Sequence, residues 1–137
     1  MNIEEIGLVL MNIRKTYTPK YVYPEDMKPY SIHTKQSIEV GNCNIKSLFI
    51  YIRALGLVLT ANGQPVNDVK EFGEFLAKLR QSVKKSQFAV AVETGLTNAR
   101  IVRIEKGYGA YKKTLLTYLT ALPPINFDLI DKHGLYT

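Results

Sequence analysis

The stretch that decides the fold prediction is SQFAVAVETGLTNARIVRIEKG, residues 86–107. It contains two short helical patterns separated by a glycine. Ser86 can cap a first helix over residues 87–93, because its hydroxyl accepts a hydrogen bond from an unpaired N–H of the first turn. Thr97 can cap a second helix over residues 98–106 in the same way. The stretch therefore predicts two helices joined by a tight turn.

The glycines and isoleucines of this stretch indicate how the two helices pack. Gly95 can adopt the positive φ that a tight turn requires, and Gly107 can end the second helix. Ile101 and Ile104 lie three residues apart, so they share the helix face that points inward. Two short helices joined by a turn of three to four residues form the geometry that places the second helix in the major groove of DNA.

These residues resemble the Xre/Cro-type helix-turn-helix family. Its members show a Ser-Gln-x-x-Leu-Ala-x-x-x-Gly stretch, then a cap residue, a recognition helix and an Ile-Glu-x-Gly ending. The chain fits this pattern at the following positions: Ser86, Gln87, Val90, Ala91, Gly95, Leu96, Thr97, Ile101, Ile104, Glu105 and Gly107. The resemblance covers residues 69–122 and implies a lambda-repressor-like, mainly α-helical fold that binds double-stranded DNA. The HipB-like antitoxin and repressor branch is the one it is most similar to.

The resemblance also implies roles for the polar residues of the motif. Asn98, Ala99 and Arg103 take the base-reading positions of the recognition helix. Their chemistry agrees, since Asn can pair with adenine, Arg can pair with guanine and a methyl group can contact thymine. The residues expected to contact the DNA backbone or to add non-specific attraction are Gln87, Thr97, Arg100, Lys84, Lys85 and Lys106.

The chain also repeats itself at an offset of 66 residues. In this register Glu5, Gly7, Leu10 and Arg14 fall on Glu71, Gly73, Leu76 and Arg80, and Ile38, Glu39 and Gly41 fall on Ile104, Glu105 and Gly107. With one further residue inserted, Lys46, Leu48 and Tyr51 fall on Lys113, Leu115 and Tyr118. The sequence therefore predicts a tandem duplication, with a divergent first copy over residues 1–66 and a second copy over residues 67–137.

Each copy ends in a short segment typical of a strand, residues 57–61 in the first and residues 125–130 in the second. Residues 61–65, with Asn62-Gly63, are interpreted as a connecting turn, so neither predicted strand has a local partner. Because an unpaired strand leaves its N–H and C=O groups open, we expect the two strands to pair with each other. The expected architecture is mainly α, with two helix-turn-helix copies joined by a two-stranded β element as a pseudo-dimer.

Family members often pair an arginine of the first helix with the glutamate that ends the recognition helix. The resemblance implies such a pair between Arg80 and Glu105, and the repeat implies a second between Arg14 and Glu39. Removing one partner of a buried ion pair leaves an uncompensated charge, which costs roughly 3–5 kcal/mol. We therefore expect structural roles for these four residues.

The first copy departs from the family pattern where its first motif helix should lie. Pro24 and Pro29 interrupt this region, since proline removes a donor and clashes inside a helix. Residues 31–40 can still form a recognition helix. Two interpretations stay open: either the first copy is degenerate and supports the second, or it contacts DNA through Ser31, His33, Gln36 and Ser37.

Three apolar residues, Phe88, Ala89 and Val92, lie on the usually polar outer side of the first motif helix. One interpretation is packing against the first copy. The other is a surface for a protein partner, such as a toxin or a second protomer.

Composition supports a polyanionic partner. Lys and Arg number 18 against 12 acidic residues, which gives a net charge of +6. The longest apolar run, residues 48–59, is interrupted by Arg53 and Gly56 and is too short for a membrane span. The first residues lack the pattern of a secretory signal, so we expect a cytoplasmic protein without a membrane partner.

The sequence offers little for catalysis or for metal binding. One cysteine, Cys43, and two histidines do not form a metal-ligand set, so we expect neither a metal nor a cofactor. The acidic residues lie on predicted helix surfaces or at helix starts, and no phosphate-binding loop follows a strand. We therefore expect no enzymatic activity.

The function expected from this pattern is sequence-specific binding of double-stranded DNA by a transcriptional repressor or autoregulator. Three alternatives stay open: an antitoxin that also binds a toxin protein, an accessory DNA-binding protein of plasmid transfer or partition, and a protein-binding adaptor without DNA binding. The expected assembly is a monomeric pseudo-dimer or a homodimer.

Overall fold

The computed structural model describes residues 1–17 and 44–131, without the side chains of residues 14–17. It is mainly helical, with a small three-stranded antiparallel sheet. The described elements in chain order are α1 (Ile3–Tyr17), α2 (Ile45–Ala54), β1 (Val58–Ala61), β2 (Gln64–Val66), α3 (Val69–Ser82), α4 (Gln87–Thr94), α5 (Asn98–Glu105), α6 (Lys112–Leu119) and β3 (Phe127–Ile130). Within these ranges, no helix combines the length and apolar character that crossing a membrane requires.

The sheet joins the two parts of the chain, which we call the first half (residues 1–66) and the second half (residues 67–137). Strand β1 pairs antiparallel with β3, from Val58 opposite Ile130 to Ala61 opposite Phe127. Leu59 and Phe127 are buried in this sheet. The predicted pairing of the two distant strands is confirmed.

The prediction of a two-stranded element is wrong, because the sheet has a third strand, β2. Strand β2 pairs with β1, with Leu59 opposite Val66 and Ala61 opposite Gln64, so β1 lies in the middle of the sheet. Asn62 and Gly63 both have positive φ, at 50° and 81°. Two such residues in a row make the tight turn whose twist suits a hairpin, so β1 does have a local partner. Strand β2 contains Pro65, which is tolerated because β2 lies at the edge of the sheet.

The first helix of each half buries an apolar stripe. Ile6 and Leu10 of α1 are completely buried. Phe72 and Leu76 of α3 are at most 2% exposed. Burial of a large apolar side chain contributes roughly 1.5–3 kcal/mol. These stripes hold both helices against a common core.

One continuous core spans the two halves. Phe49 of α2 contacts Phe72 of α3, with ring centroids 5.5 Å apart. Phe72 in turn meets Phe127 of β3 edge-on at 6.0 Å. Offset and edge-to-face rings at these distances attract beyond their buried area. The core therefore ties the first half to the second.

The halves also meet where α2 and α6 begin. Asn44 and Tyr111, the cap residues of these two helices, form an isolated antiparallel bridge. Ile45 N–H donates to the carbonyl of Ala110 at 2.8 Å. This part of the junction between the halves lies a few residues beyond the end of α5.

Gly73 allows α3 to approach the last turn of α5. A Cβ at this position would lie 2.5 Å from the carbonyl oxygen of Glu105 and 2.7 Å from that of Ile104. Both are backbone atoms, which cannot move aside as a flexible side chain can. The absence of a side chain at Gly73 is therefore a packing requirement.

We expect Gly73→Ala to lower the free energy of unfolding by about 1–2 kcal/mol. Overpacking typically costs about 1–3 kcal/mol, and the better helix propensity of alanine offsets only about 1 kcal/mol. Urea denaturation of this variant and of Glu74→Ala, an exposed neighbour on the same helix, measures the effect. A Gly73→Ala protein as stable as its parent would contradict the close approach.

Candidate nucleic-acid interface

Helices α4 and α5 begin at the caps that the sequence predicts. The Ser86 hydroxyl accepts a hydrogen bond from the N–H of Ala89 at 3.0 Å. The Thr97 hydroxyl accepts one from the N–H of Arg100 at 3.2 Å. Gly95, with φ at 76°, follows α4 in the left-handed conformation. The two eight-residue helices are thus joined by residues 95–97, close to the predicted boundaries.

The inner faces of the two helices pack as expected. Val90 of α4 and Ile101 of α5 are completely buried, and Ile104 is 5% exposed. A helix of eight residues is too short to be stable alone in water, so this burial is what keeps α5 folded. The buried isoleucines fix which side of α5 faces solvent.

The solvent side of α5 holds the predicted base-reading residues. Asn98, Ala99 and Arg103 are all exposed. Among the predicted backbone contacts, the exposed ones are Lys84, Thr97, Arg100 and Lys106. The one acidic residue of α5, Glu105, is buried. The exposed side of this helix therefore carries positive charge without a negative side chain of its own.

A cleft of about 280 Å³ opens beside α5. Arg100 and Arg103 of α5 line it, together with Tyr108 from the segment that follows α5 and Thr114 from α6. Asn44, from the first half, also lines the cleft. No acidic side chain is among the described residues that line it, so its electrostatic potential favours an anion.

Two residues predicted to contact the DNA backbone have hydrogen-bond partners within the protein, and their DNA contacts stay predictions. The Gln87 amide is half-buried and donates to Glu105 Oε1 at 3.1 Å. The Lys85 ammonium donates to the carboxylate of Glu93 at 2.9 Å and to the carbonyl of Ala121 at 2.8 Å. Gln87 therefore acts on the inner side of α5, and the Lys85 charge is compensated locally.

The predicted ion pair between Arg80 and Glu105 is confirmed and is bidentate. Arg80 Nε lies 2.7 Å from Glu105 Oε2, and Arg80 Nη2 donates to Oε1 at 2.9 Å. Glu105 has a further partner that the sequence did not predict. The Tyr118 hydroxyl donates to Glu105 Oε2 at 2.6 Å. Its signal in the sequence was the match of Tyr118 with Tyr51 in the repeat. We call Arg80, Gln87, Glu105 and Tyr118 the Glu105 network.

The Glu105 network keeps the carboxylate ionised. Burial alone would raise the pKa of Glu105, but hydrogen bonds from Arg80, Tyr118 and Gln87 outweigh it and hold this pKa below its usual value. The hydrogen bond to Glu105 raises the pKa of the Arg80 guanidinium. Burial raises the pKa of the Tyr118 phenol, so it remains a neutral donor. The buried charges of the two ionised groups therefore compensate each other.

Several predicted residues lie outside the described part of the chain. These are Ser31, His33, Gln36, Ser37 and Glu39. Arg14 belongs to α1, and the predicted Arg14–Glu39 pair also falls outside the described residues. The predicted DNA contacts of the first half stay predictions.

The outer face of α4 is open. Phe88 and Val92 are 73% and 70% exposed, and Ala89 is exposed beside them. The described residues of the first half do not cover them, and the interpretation that they pack against the first half stays a prediction. Elsewhere, no group of three or more His, Cys, Asp or Glu residues in residues 1–17 and 44–131 is arranged to hold a metal ion.

No protein-family model matches the chain, and neither a curated protein nor a solved structure is found to be similar to it. The geometry of α4, α5 and the Glu105 network is therefore the basis for the functional proposal.

The lowered pKa of Glu105 predicts a pH-dependent stability. A carboxyl whose pKa is lower in the folded than in the unfolded state stabilises the fold above its unfolded value, and this contribution is lost as the pH falls through the folded value. Glu105→Gln should therefore cost roughly 3 kcal/mol at pH 7, because it leaves the Arg80 charge buried without a counter-charge. The difference from the parent should shrink as the pH falls from about 5 to 3.

Urea denaturation at several pH values, compared between parent and variant, measures this difference. The control is Glu93→Gln, which removes the partner of Lys85 in an exposed pair and should cost less than about 1 kcal/mol at every pH. A gap between parent and Glu105→Gln that stays constant down to pH 3 would contradict the assigned charge state.

Proposed function

We propose that this chain is a sequence-specific DNA-binding protein of the helix-turn-helix class that inserts α5 into the major groove and represses transcription. The observation that carries the proposal is the division of α5 into two faces. Ile101 and Ile104 are buried on the inner face of the helix, while Asn98 and Arg103 are exposed on its solvent side. Asparagine and arginine are the side chains that read adenine and guanine with paired hydrogen bonds.

The charges around α5 support the same function. Lys84, Arg100 and Lys106 are exposed around the helix. The acid that would oppose them, Glu105, is buried and neutralised by Arg80. Cations in these positions can contact phosphates and fix the register of the helix on the duplex.

We further propose that the two halves are tandem copies related by an approximate twofold axis. Such an axis brings equivalent segments together antiparallel. Strands β1 and β3 follow the last helix of each half and pair in this way, and the caps Asn44 and Tyr111 form an antiparallel bridge. If the first half also contacts DNA, its recognition helix enters the next major groove about 34 Å away, over an imperfect palindrome.

A second candidate function is an antitoxin that also binds a protein. The open apolar face of α4, with Phe88 and Val92, favours it, because such residues are usually covered when they cluster. This candidate adds a partner and leaves the DNA-contacting face of α5 unchanged. A protein that stably copurifies with the chain from its own host would distinguish it from a simple repressor.

Selection of bound fragments from random DNA, followed by salt-titrated gel shifts on the best fragment, tests the DNA-binding function. Three phosphate contacts, from Lys84, Arg100 and Lys106, should give a slope of log K against log salt of about −2.7, or a roughly forty-fold loss of affinity between 50 and 200 mM salt. Contacts from the first half would steepen it. Failure to retard any selected fragment would end the proposal.

We expect Arg103→Ala to cost about 1–3 kcal/mol of binding free energy and to relax the preference at one base position. The reason is that Arg103 takes a base-reading position in the motif, where a guanidinium can pair with a guanine edge. Repeating the selection with the variant measures the preference. Lys78→Ala, which removes an exposed cation of α3, is the control, and an unchanged preference in Arg103→Ala would show that α5 is placed in the wrong register.

A further inference from the structure

Arg103 and Tyr108 are brought together by the way α5 ends. The N–H of Gly107 donates to the carbonyl of Ile104 at 3.1 Å, and the N–H of Tyr108 donates to the carbonyl of Arg103 at 3.0 Å. This pair of bonds defines a Schellman ending, in which the residue after the glycine lies beside the residue five positions earlier. Arg103 Cζ accordingly lies 5.8 Å from the centre of the Tyr108 ring.

The backbone on both sides of Tyr108 is closely packed. Gly107 has a φ of 78°, and a Cβ there would collide with the Cα of Lys70 in α3. Gly109 has a φ of 87°, and a Cβ there would lie 2.5 Å from Asn44 Oδ1. The segment is therefore held by α3 on one side and by the first half on the other. The backbone that carries Tyr108 is therefore held in place beside α5.

The contact between Arg103 and Tyr108 leaves the arginine available. A guanidinium attracted to a ring uses its flat face, while its N–H groups point outward along its edge. Those N–H groups are the ones that form paired hydrogen bonds to a guanine. Both side chains are exposed, with Tyr108 at 59%. A contact of this kind restricts the rotamers of a long side chain and leaves the exposed edge of the guanidinium open to a ligand.

We propose that Tyr108 is a positioning residue that orients the Arg103 guanidinium for base recognition and so helps to determine which DNA sequence is bound. This inference rests on the proposed DNA-binding function. It assigns a specificity role to a residue outside α5, in the segment that connects this helix to the junction between the halves.

A double-mutant cycle on DNA binding tests the proposal. Two duplexes are used: the best selected site, and the same site changed at the base whose preference Arg103→Ala relaxes. Tyr108→Ala should reduce the discrimination between them by roughly two- to five-fold, the range of an exposed cation–π contact. Tyr108→Phe should retain the discrimination, because a phenyl ring also attracts the guanidinium. In the Arg103→Ala background, Tyr108→Ala should have no further effect.

Tyr111→Ala is the matched control. It removes another exposed tyrosine from the same cleft, and its side chain makes no capping hydrogen bond to α6. Discrimination at the Arg103 base should be unchanged in this variant. If Tyr108→Ala weakens both duplexes equally, or weakens binding as much without Arg103 as with it, Tyr108 acts independently and the proposal is wrong.

A measurement without DNA separates this inference from the proposed function. The ring of Tyr108 should shift the NMR signals of the Arg103 side chain, and Tyr108→Ala should abolish that shift while Tyr111→Ala preserves it. Arg103 signals that do not respond to Tyr108→Ala would refute the contact itself. A parent protein that shows the ring shift but binds no duplex would instead refute the DNA-reading role, together with the proposed function.

Discussion

The buried carboxylate of Glu105 connects α3, α4, α5 and α6. It is the last residue of α5, and its oxygens accept hydrogen bonds from Arg80 of α3, Gln87 of α4 and Tyr118 of α6. A buried charge without partners costs several kcal/mol, so only the arrangement that supplies all three donors is favourable. In the described residues, no buried side-chain nitrogen or oxygen lacks a hydrogen-bond partner. The network therefore specifies how these helices are placed.

The junction between the halves has a different physical basis. Strands of four residues are marginal by themselves, and β1 and β3 persist because they cover a core shared by both halves. Phe72 of the second half contacts Phe49 of the first and Phe127 of β3. The halves are thus joined by apolar contacts and backbone pairing, while the second half is organised internally by a buried ion pair.

Much of the fold was predictable where the cause is local. The caps Ser86 and Thr97 act on N–H groups three residues away, so the sequence places α4 and α5 correctly. The pairing of β1 with β3 was also predictable, because open backbone groups need partners. Strand β2 was missed because three residues with a central proline resemble a connecting segment.

Side-chain partners were harder to predict because they depend on tertiary placement. The Lys85 ammonium reaches the carbonyl of Ala121, which lies 36 residues away along the chain. Its basic character and its place before α4 give no sign of this contact. The place of Gln87 in the motif predicts a DNA-backbone contact, which stays a prediction, but it gives no sign of the hydrogen bond from its amide to Glu105.

The two faces of α5 separate what a substitution does to stability from what it does to binding. The residues behind the helix, Ile101 and Glu105, hold an eight-residue segment that has little stability of its own. A change there loosens the helix and so weakens any contact made by its outer face. Asn98 and Arg103 are exposed, so a change there would alter the proposed contacts with DNA while the fold is kept. A surface whose residues can vary at low cost to folding is what a protein needs in order to recognise new sequences on an unchanged scaffold.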